Sequence, residues 1–300
     1  QNEPVKRVTV NPQTIQKNYK RLIEHQAAMK WLRDRGIGAD QVERHRLGIA
    51  TAKVGRRSVE AITIPIPANP DRTAYYQKKR VAPWDKAIGE SDGYQPWKQY
   101  GVPAMVYFTH KPENAIARWR CEGEWDAMMR GAALRGASFD LPVAVATFTC
   151  GCKSVPSPEE LGRLPGTVTV WYDRNDKPLK DGKRPGEEGA KTVAKRLGER
   201  ALIAAVPMPE GCDRSGWDVS DALNSGIAIS LFVRAAAVAQ PLPKERKHNP
   251  LRDALRWNDD LIANAPDYTE FIVPDLLTED EMFIFAAPPR TGKTLMAMTL

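Results

Sequence analysis

Residues 115–178 read AIARWRCEGEWDAMMRGAALRGASFDLPVAVATFTCGCKSVPSPEELGRLPGTVTVWYDRNDKP. Ala115–Cys121, Val143–Phe148 and Thr167–Tyr172 are short β-rich runs. Between them, Asp126–Arg135 has helical spacing and Pro158–Leu164 reads as a shorter helix. The alternation continues with a helix over Gly186–Leu197 and a fourth strand over Leu202–Val206. Strands and helices that alternate at this spacing imply a parallel sheet built from βαβ crossovers. Ligands of such sheets sit beyond the carboxyl ends of the strands, where Glu122 and Asp173 both fall.

The flanks read differently. Ile15, Tyr19, Leu22, Ile23, Ala27, Met29 and Leu32 follow the helical period, which predicts one helix over residues 12–34 that Gly36 and Gly38 end. A short helix capped by Asp40 follows over residues 39–46. Val59–Ile66 and Thr73–Gln77 are β-rich, with turn residues between them. The expected organisation is α/β: a small mixed α+β subdomain over 1–110, then a parallel-sheet domain over 111–238 closed by a helix over Ser220–Ala237. QPLPKERKHNP (240–250) reads as a linker, placed at 239–270, and residues 271–300 begin a further domain.

The chain has 300 residues, 42% hydrophobic and 27% charged, as expected of a globular protein with room for about two domains. No run reaches the ~18 apolar residues of a membrane span, so no membrane partner is expected. Four cysteines in 300 residues do not make a disulfide scaffold and fit a reducing cytoplasm. No apolar leader opens the chain, and its first residue, Gln1, reads as a cut. The net charge of +7 is uneven: residues 1–120 hold 22 of the 44 Lys and Arg but only 11 of the 37 Asp and Glu. A basic front and a mildly acidic back suggest a polyanion held by one part and acidic chemistry in the other.

Three acidic constellations carry that chemistry. In CEGEWDAM (121–128), Glu122 ends a strand, Gly123 permits a tight turn and Asp126 opens a helix. That spacing can aim two carboxylates into one cleft, or simply place ordinary acids at a helix N-terminus. In VWYDRNDKP (170–178), an apolar strand delivers Asp173, Asn175 and Asp176. Clustered carboxylates repel, and hard oxygen ligands suit Mg²⁺ or Mn²⁺; the bland alternative is a turn. In GWDVSDAL (216–223), Asp218 and Asp221 precede an apolar helix, with Ser220 a candidate N-cap.

Taken in order, these motifs resemble the Toprim domain, the metal-dependent module of primases, topoisomerases and some nucleases, over about residues 110–235. Upstream, WLRDRGIGADQVERHRLGIA (31–50) and ITIPIPANPDRTAYYQKKR (62–80) resemble the front of the polymerase core of bacterial-type primases. The resemblance implies a Rossmann-like Toprim domain with catalytic residues Glu122, Asp126, Asp173, Asp176 and Asp218. Glu122, Asp173, Asp176 and Asp218 would hold the metal. The second acidic position falls on Asn175 by strict spacing and on Asp176 with a one-residue insertion; Asp176 is preferred, with the family's following glycine displaced to Gly186.

Residues 285–298, FAAPPRTGKTLMAM, fit a Walker A turn with Ala for its first Gly, after an apolar strand and before a helix over Thr294–Leu300. Gly292, Lys293 and Thr294 would bind the phosphates and Mg²⁺ of ATP. Only seven residues follow Lys293, so no ATP hydrolysis is expected of this chain alone. Toprim primase followed by a RecA-like ATPase is the order of phage and plasmid primase–helicases, and an oligomer formed through the ATPase domain is a further expectation.

The expected activity is therefore RNA primer synthesis on single-stranded DNA by metal-dependent nucleotidyl transfer from nucleoside triphosphates. A Toprim nuclease and a non-catalytic DNA-binding replication module are the rivals. Lys78, Lys79 and Arg80, beside Tyr75 and Tyr76, are the expected nucleic-acid contacts. Lys98 joins them by resemblance to a lysine that precedes a Tyr-Gly segment in primases. Cys150 and Cys152 form a Cys-x-Cys without a second pair, and the four His show no ligand pattern.

Overall fold

Asn11 opens the first helix: its side chain accepts from the Thr14 amide (2.9 Å), and Pro12 is pre-set for the first turn. The computed structural model describes residues 7–243, apart from 138–141, 152–154 and 181, together with 283–284 and 297–298. Helix α1 spans Pro12–Glu24 and α2 spans Gln26–Asp34. The single helix expected here is broken at His25, whose ring nitrogen Nδ1 accepts from the Ala28 amide (3.1 Å) and so caps α2. Helix α3, Ala39–Arg44, starts at Gly38 with no side-chain cap; Asp40 lies in its first turn rather than capping it.

Strands β1 (Gly48–Val54), β2 (Arg57–Pro67), β3 (Tyr75–Val81) and β4 (Trp97–Lys98) form an antiparallel sheet in that order, with the short α4 (Lys86–Gly89) between the last two. Ile62, Ile64 and Ile66 stand opposite Arg80, Lys78 and Tyr76, so all six share one face. The isoleucines and Tyr76 pack there with Leu22, Leu32 and Ile37.

The second sheet has six strands. β5 (Val106–His110), β6 (Ala117–Arg120), β7 (Val143–Phe148), β8 (Val168–Tyr172), β9 (Ala201–Ala205) and β10 (Gln240–Pro241) lie in the order β10-β9-β8-β6-β7-β5. The four central strands are parallel and both edges antiparallel. Helices α5 (Glu124–Arg135), α6 (Pro158–Leu161) and α7 (Pro185–Leu197) make the crossovers. α8 (Val219–Asn224) and α9 (Ile229–Ala237) divide the one helix expected over 220–237, because Gly226 turns the chain at φ 85°. The start of the expected linker is instead edge strand β10; residues 244–270 lie outside the described residues.

Helix α5 is buried almost all round. Trp125, Met128 and Met129 pack into the core under the four-stranded sheet, while Ala127 and Leu134 pack against the parallel sheet. A helix apolar on both sides is one held between two layers. β7 is buried along its whole length, as a central parallel strand must be.

Gln1–Leu242 form one unit and Pro243–Leu300 another. In the second, β11 (Phe283–Ile284) pairs antiparallel with β12 (Ala297–Met298). The helix expected over Thr294–Leu300 is thus a strand at 297–298: an apolar run without clear periodicity fits either element, and strand pairing decides it. Gly292, Lys293 and Thr294 lie outside the described residues. No helix among the described residues is long and apolar enough to cross a membrane.

Candidate active site

The chain leaves the first parallel strand, β6, for one neighbour, β7, and then crosses to the other, β8. That reversal opens a crevice beyond the carboxyl ends of β6 and β8. Arg120 is in register with Val170, so Glu122 and Asp173 leave the ends of neighbouring strands one residue out of step. Asp126 follows one turn into α5. Asp218 arrives through a two-residue bridge: the Arg174 amide donates to the Trp217 carbonyl (2.9 Å) and the Trp217 amide to the Arg174 carbonyl (2.8 Å). Trp217 is itself anchored by its Nε1 hydrogen donated to the Pro207 carbonyl (2.8 Å).

Asp173 is the electrostatic focus. Burial first, then Asp126, Glu122, Asp218 and Asp176 in that order, push its carboxyl well above the usual range. All five acidic residues expected from the sequence therefore act on one point. Asp218 is pushed up to about 7, by burial and by Asp126, against the hydrogen bond it accepts from the Asp221 amide (2.7 Å). Asp126 is raised by burial, and Ser220 opposes this by donating its hydroxyl (2.8 Å) and amide (3.3 Å) to Oδ1. Ser220 is thus not the N-cap of α8. That place belongs to Asp218, with Asp221 completing a capping box.

Asp176 and Asn175 part company. Asn175 adopts φ 56° and turns its amide toward Met208 Sδ and the Cys212 carbonyl (both 3.4 Å). Asp176 Oδ2 accepts from the Gly186 amide (2.6 Å), and a Cβ on Gly186 would stand 2.7 Å from that oxygen. Glycine at 186 lets the α7 N-terminus close on the carboxylate. Beside it a cavity of about 370 Å³ is lined by Asn175, Asp176, Lys177, Arg184 and Asp213 among others.

Two cations balance the acids without a clear sequence signal. Arg35, at the end of α2, places Nη2 3.9 Å from Asp218 Oδ2 and also acts on Asp126. Gly36 makes this possible, since it takes φ 83° and its missing Cβ leaves room for Met129 and Asn224. Arg130 is fully buried in a cage of Trp119, Trp171 and Phe232, 4.1 Å from the Trp171 ring centre. Its charge opposes the ionisation penalty on Asp126.

The donor set is all hard oxygen, as Mg²⁺ or Mn²⁺ requires. Among the described residues, however, no three His, Cys, Asp or Glu side chains are already gathered to hold an ion. Oxygens of Asp126, Asp218 and Asp176 are engaged by Ser220, the Asp221 amide and the Gly186 amide, respectively.

The basic run is not one patch. Lys78 is buried on the inward face, with Nζ 2.6 Å from Glu124 Oε1 and 4.7 Å from the Trp97 ring centre. It was expected among the nucleic-acid contacts; successive strand residues face opposite ways, and this one faces the core. Arg80 shares that face and donates to Tyr94 Oη (3.1 Å) and the Pro96 carbonyl (3.0 Å). Lys79 and Lys98 stand opposite each other on the outer face. Lys79 donates to the Thr51 carbonyl (2.9 Å) and Lys98 to Gln95 Oε1 (3.0 Å).

The sequence matches no protein-family model and no curated protein. Solved structures do match. The zinc-binding and RNA polymerase domains of Aquifex aeolicus primase align at TM-score 0.51 and 14% identity, covering 85% of this chain and 67% of that one. The RNA polymerase domain of Mycobacterium tuberculosis primase, solved in complex with double-stranded DNA, aligns at TM-score 0.50 and 13% identity, covering 86% and 92%. The chain has a primase-like fold. At these identities the likeness extends to the fold alone, and the chemistry rests on the carboxylates.

Proposed function

We propose that this chain is a primase-type nucleotidyltransferase that joins ribonucleotides on a single-stranded DNA template. The reading rests on one observation above all: in a primase-like fold, four further carboxylates act on Asp173 at the reversal point of the parallel sheet. On this reading the parallel-sheet part is a Toprim module, and Glu122, Asp173, Asp176 and Asp218 hold Mg²⁺ or Mn²⁺. A bound ion would neutralise triphosphate charge and favour ionisation of the attacking 3′-hydroxyl. Asp126, fixed by Ser220, orients the cluster, and Arg35 and Arg130 limit its net charge. Lys79 and Lys98 face outward to the template strand. Gly292, Lys293 and Thr294 belong on this reading to a helicase-type ATPase, of the kind fused to phage and plasmid primases, which binds ATP.

The test is incorporation of radiolabelled ribonucleotides on single-stranded DNA with Mg²⁺ or Mn²⁺, with strand scission followed in parallel. The wild type should make RNA that Asp173→Asn does not, and Lys293→Ala should leave synthesis unchanged. Asp173-dependent scission without synthesis would make the chain a nuclease; neither activity would make it a binding module.

A further inference from the structure

The carboxylate centre lies at the start of α5, and a different hollow lies at its end. Asp126 and Arg135 are nine residues apart, about 14 Å along a helix that rises ~1.5 Å per residue. Arg135 borders a cavity of about 920 Å³, together with Arg44, Arg46, Arg72, Lys111 and Arg163. These six cations come from α3 and its end, the β2–β3 turn, the segment after β5, the end of α5 and the segment after α6. Five separate parts of the chain therefore deliver positive charge to one place.

Among the described residues the lining holds a single acid, Glu160. Its Oε2 is already engaged, accepting from the Val106 amide (3.0 Å) and Arg163 Nη1 (2.9 Å). Arg135 donates to the neutral Gln41 Oε1 (2.9 Å). The like charges act on one another: burial and then Arg44 lower the pKa of Arg135, and burial, Arg135 and Arg44 lower those of His45 and His110. Buried His45 also lines the cavity and leaves Nε2 without a hydrogen-bond partner. Asp40 opposes these shifts on Arg135 and His45, and six cations against Asp40 and Glu160 still leave a surplus of positive charge suited to an anion. Guanidinium forks match phosphate oxygens in pairs. Half-buried Tyr75 and Phe108 add flat apolar surface to the wall, and the volume falls within that of small-molecule sites, about 300–1,000 Å³.

We propose that this cavity is a second ligand site that binds a nucleoside polyphosphate, apart from the carboxylate centre. The proposal does not depend on the activity proposed above.

The experiment is titration calorimetry on the whole chain in EDTA, where metal-dependent binding at the carboxylates is silent. The titrants are ATP, inorganic tripolyphosphate and an oligothymidylate. Arg44 and Arg163 are exposed, so Arg44→Gln/Arg163→Gln should fold, and exposed Arg72→Gln serves as a second variant. ATP should bind the wild type, and each variant should bind it at least tenfold more weakly. Asp173→Asn should bind it as the wild type does, and in a Lys293→Ala background, which removes any contribution of the 285–298 turn, the arginine-dependent binding should persist. Tripolyphosphate should bind more weakly than ATP. No binding, binding unaffected by the arginine variants, or arginine-dependent binding lost in Asp173→Asn or in the Lys293→Ala background would overturn the proposal. So would tripolyphosphate binding equal to ATP, or arginine-dependent preference for the oligonucleotide, which would make the hollow a general phosphate or strand site. Loss of ribonucleotide incorporation with ATP binding intact would overturn the activity and leave this site standing.

Discussion

A buried carboxyl surrounded by four others is held against its own ionisation, so Asp173 stores unfavourable energy in the metal-free protein. Asp173→Asn removes that charge and keeps the shape. The metal-free variant should be more stable than the wild type in urea unfolding at neutral pH, where the buried charge is otherwise costly. Mn²⁺ should raise the melting temperature of the wild type and not of the variant; an equal Mn²⁺ response would place the ion elsewhere. A second residue titrates with the opposite sign. Burial, then Arg135 and Arg44, lower the His45 pKa to about 4. Between the ordinary value of ~6.5 and that value, the unfolded chain binds a proton that the folded chain refuses. Stability from His45 is therefore complete above about pH 6.5 and is lost as pH falls toward 4, by up to about 3 kcal/mol. Asp218, raised to about 7, behaves conversely: its contribution is present at low pH and is lost as pH rises through 7. The difference between wild type and His45→Gln isolates the histidine. Their unfolding free energies should converge between pH 7.5 and 4.5, and parallel curves would refute the assignment.

At the level of elements, α5 ties the two sheets together through one buried ion pair. Lys78 on β3 meets Glu124 in the first turn of α5, both almost wholly enclosed. Such a pair adds little by itself, but removing one partner strands a charge and costs about 3–5 kcal/mol. Lys78→Met should destabilise by about that amount in urea unfolding. Lys78→Met/Glu124→Gln should recover most of the loss; a double variant as unstable as the single would mean that packing on Trp97 carries the effect. The element junction at Gly36 is equally exposed to test. Alanine there meets both φ 83° and the Met129 side chain, so Gly36→Ala should cost at least about 1 kcal/mol by backbone strain alone. It should also strengthen the Mn²⁺ response, because α2 delivers Arg35, a cation that competes for Asp218. Strands β7, β8 and β9 were legible because each is a largely apolar run bounded by turns. β1 was not, since GIATAKV carries small and polar residues and has no strong strand signature. Nor could periodicity assign β5, VYFTH, to the second sheet, because its pairing with β7 is a long-range choice.

For the molecule as a whole, the order of acidic motifs made the candidate site legible while the charge that balances it stayed hidden. Glu122, Asp126, Asp173 and Asp218 sit at strand ends and helix starts, which local spacing exposes. Arg130 is invisible to that logic: an arginine in a helix is ordinary, and only the packed fold surrounds it with Trp119, Trp171 and Phe232. The surplus of positive charge in the first 120 residues was likewise visible, but its division between faces was not. KKR on a strand sends Lys78 and Arg80 inward and Lys79 outward beside Lys98. The last prediction follows from that division. Binding of single-stranded DNA should weaken with salt, because each phosphate neutralised by a lysine releases condensed counterions. Lys79→Ala and Lys98→Ala should each lower the magnitude of the log–log salt slope by about 0.7, and together by about 1.4. Lys78→Met/Glu124→Gln should leave the slope unchanged, because a cation spent on Glu124 inside the protein has no counterion to release from DNA. Fluorescence anisotropy of a labelled oligonucleotide across a salt series reads all three. A slope lowered by the Lys78 variant and untouched by the other two would put the template against the inward face of the antiparallel sheet, where Arg80 and Trp97 already stack.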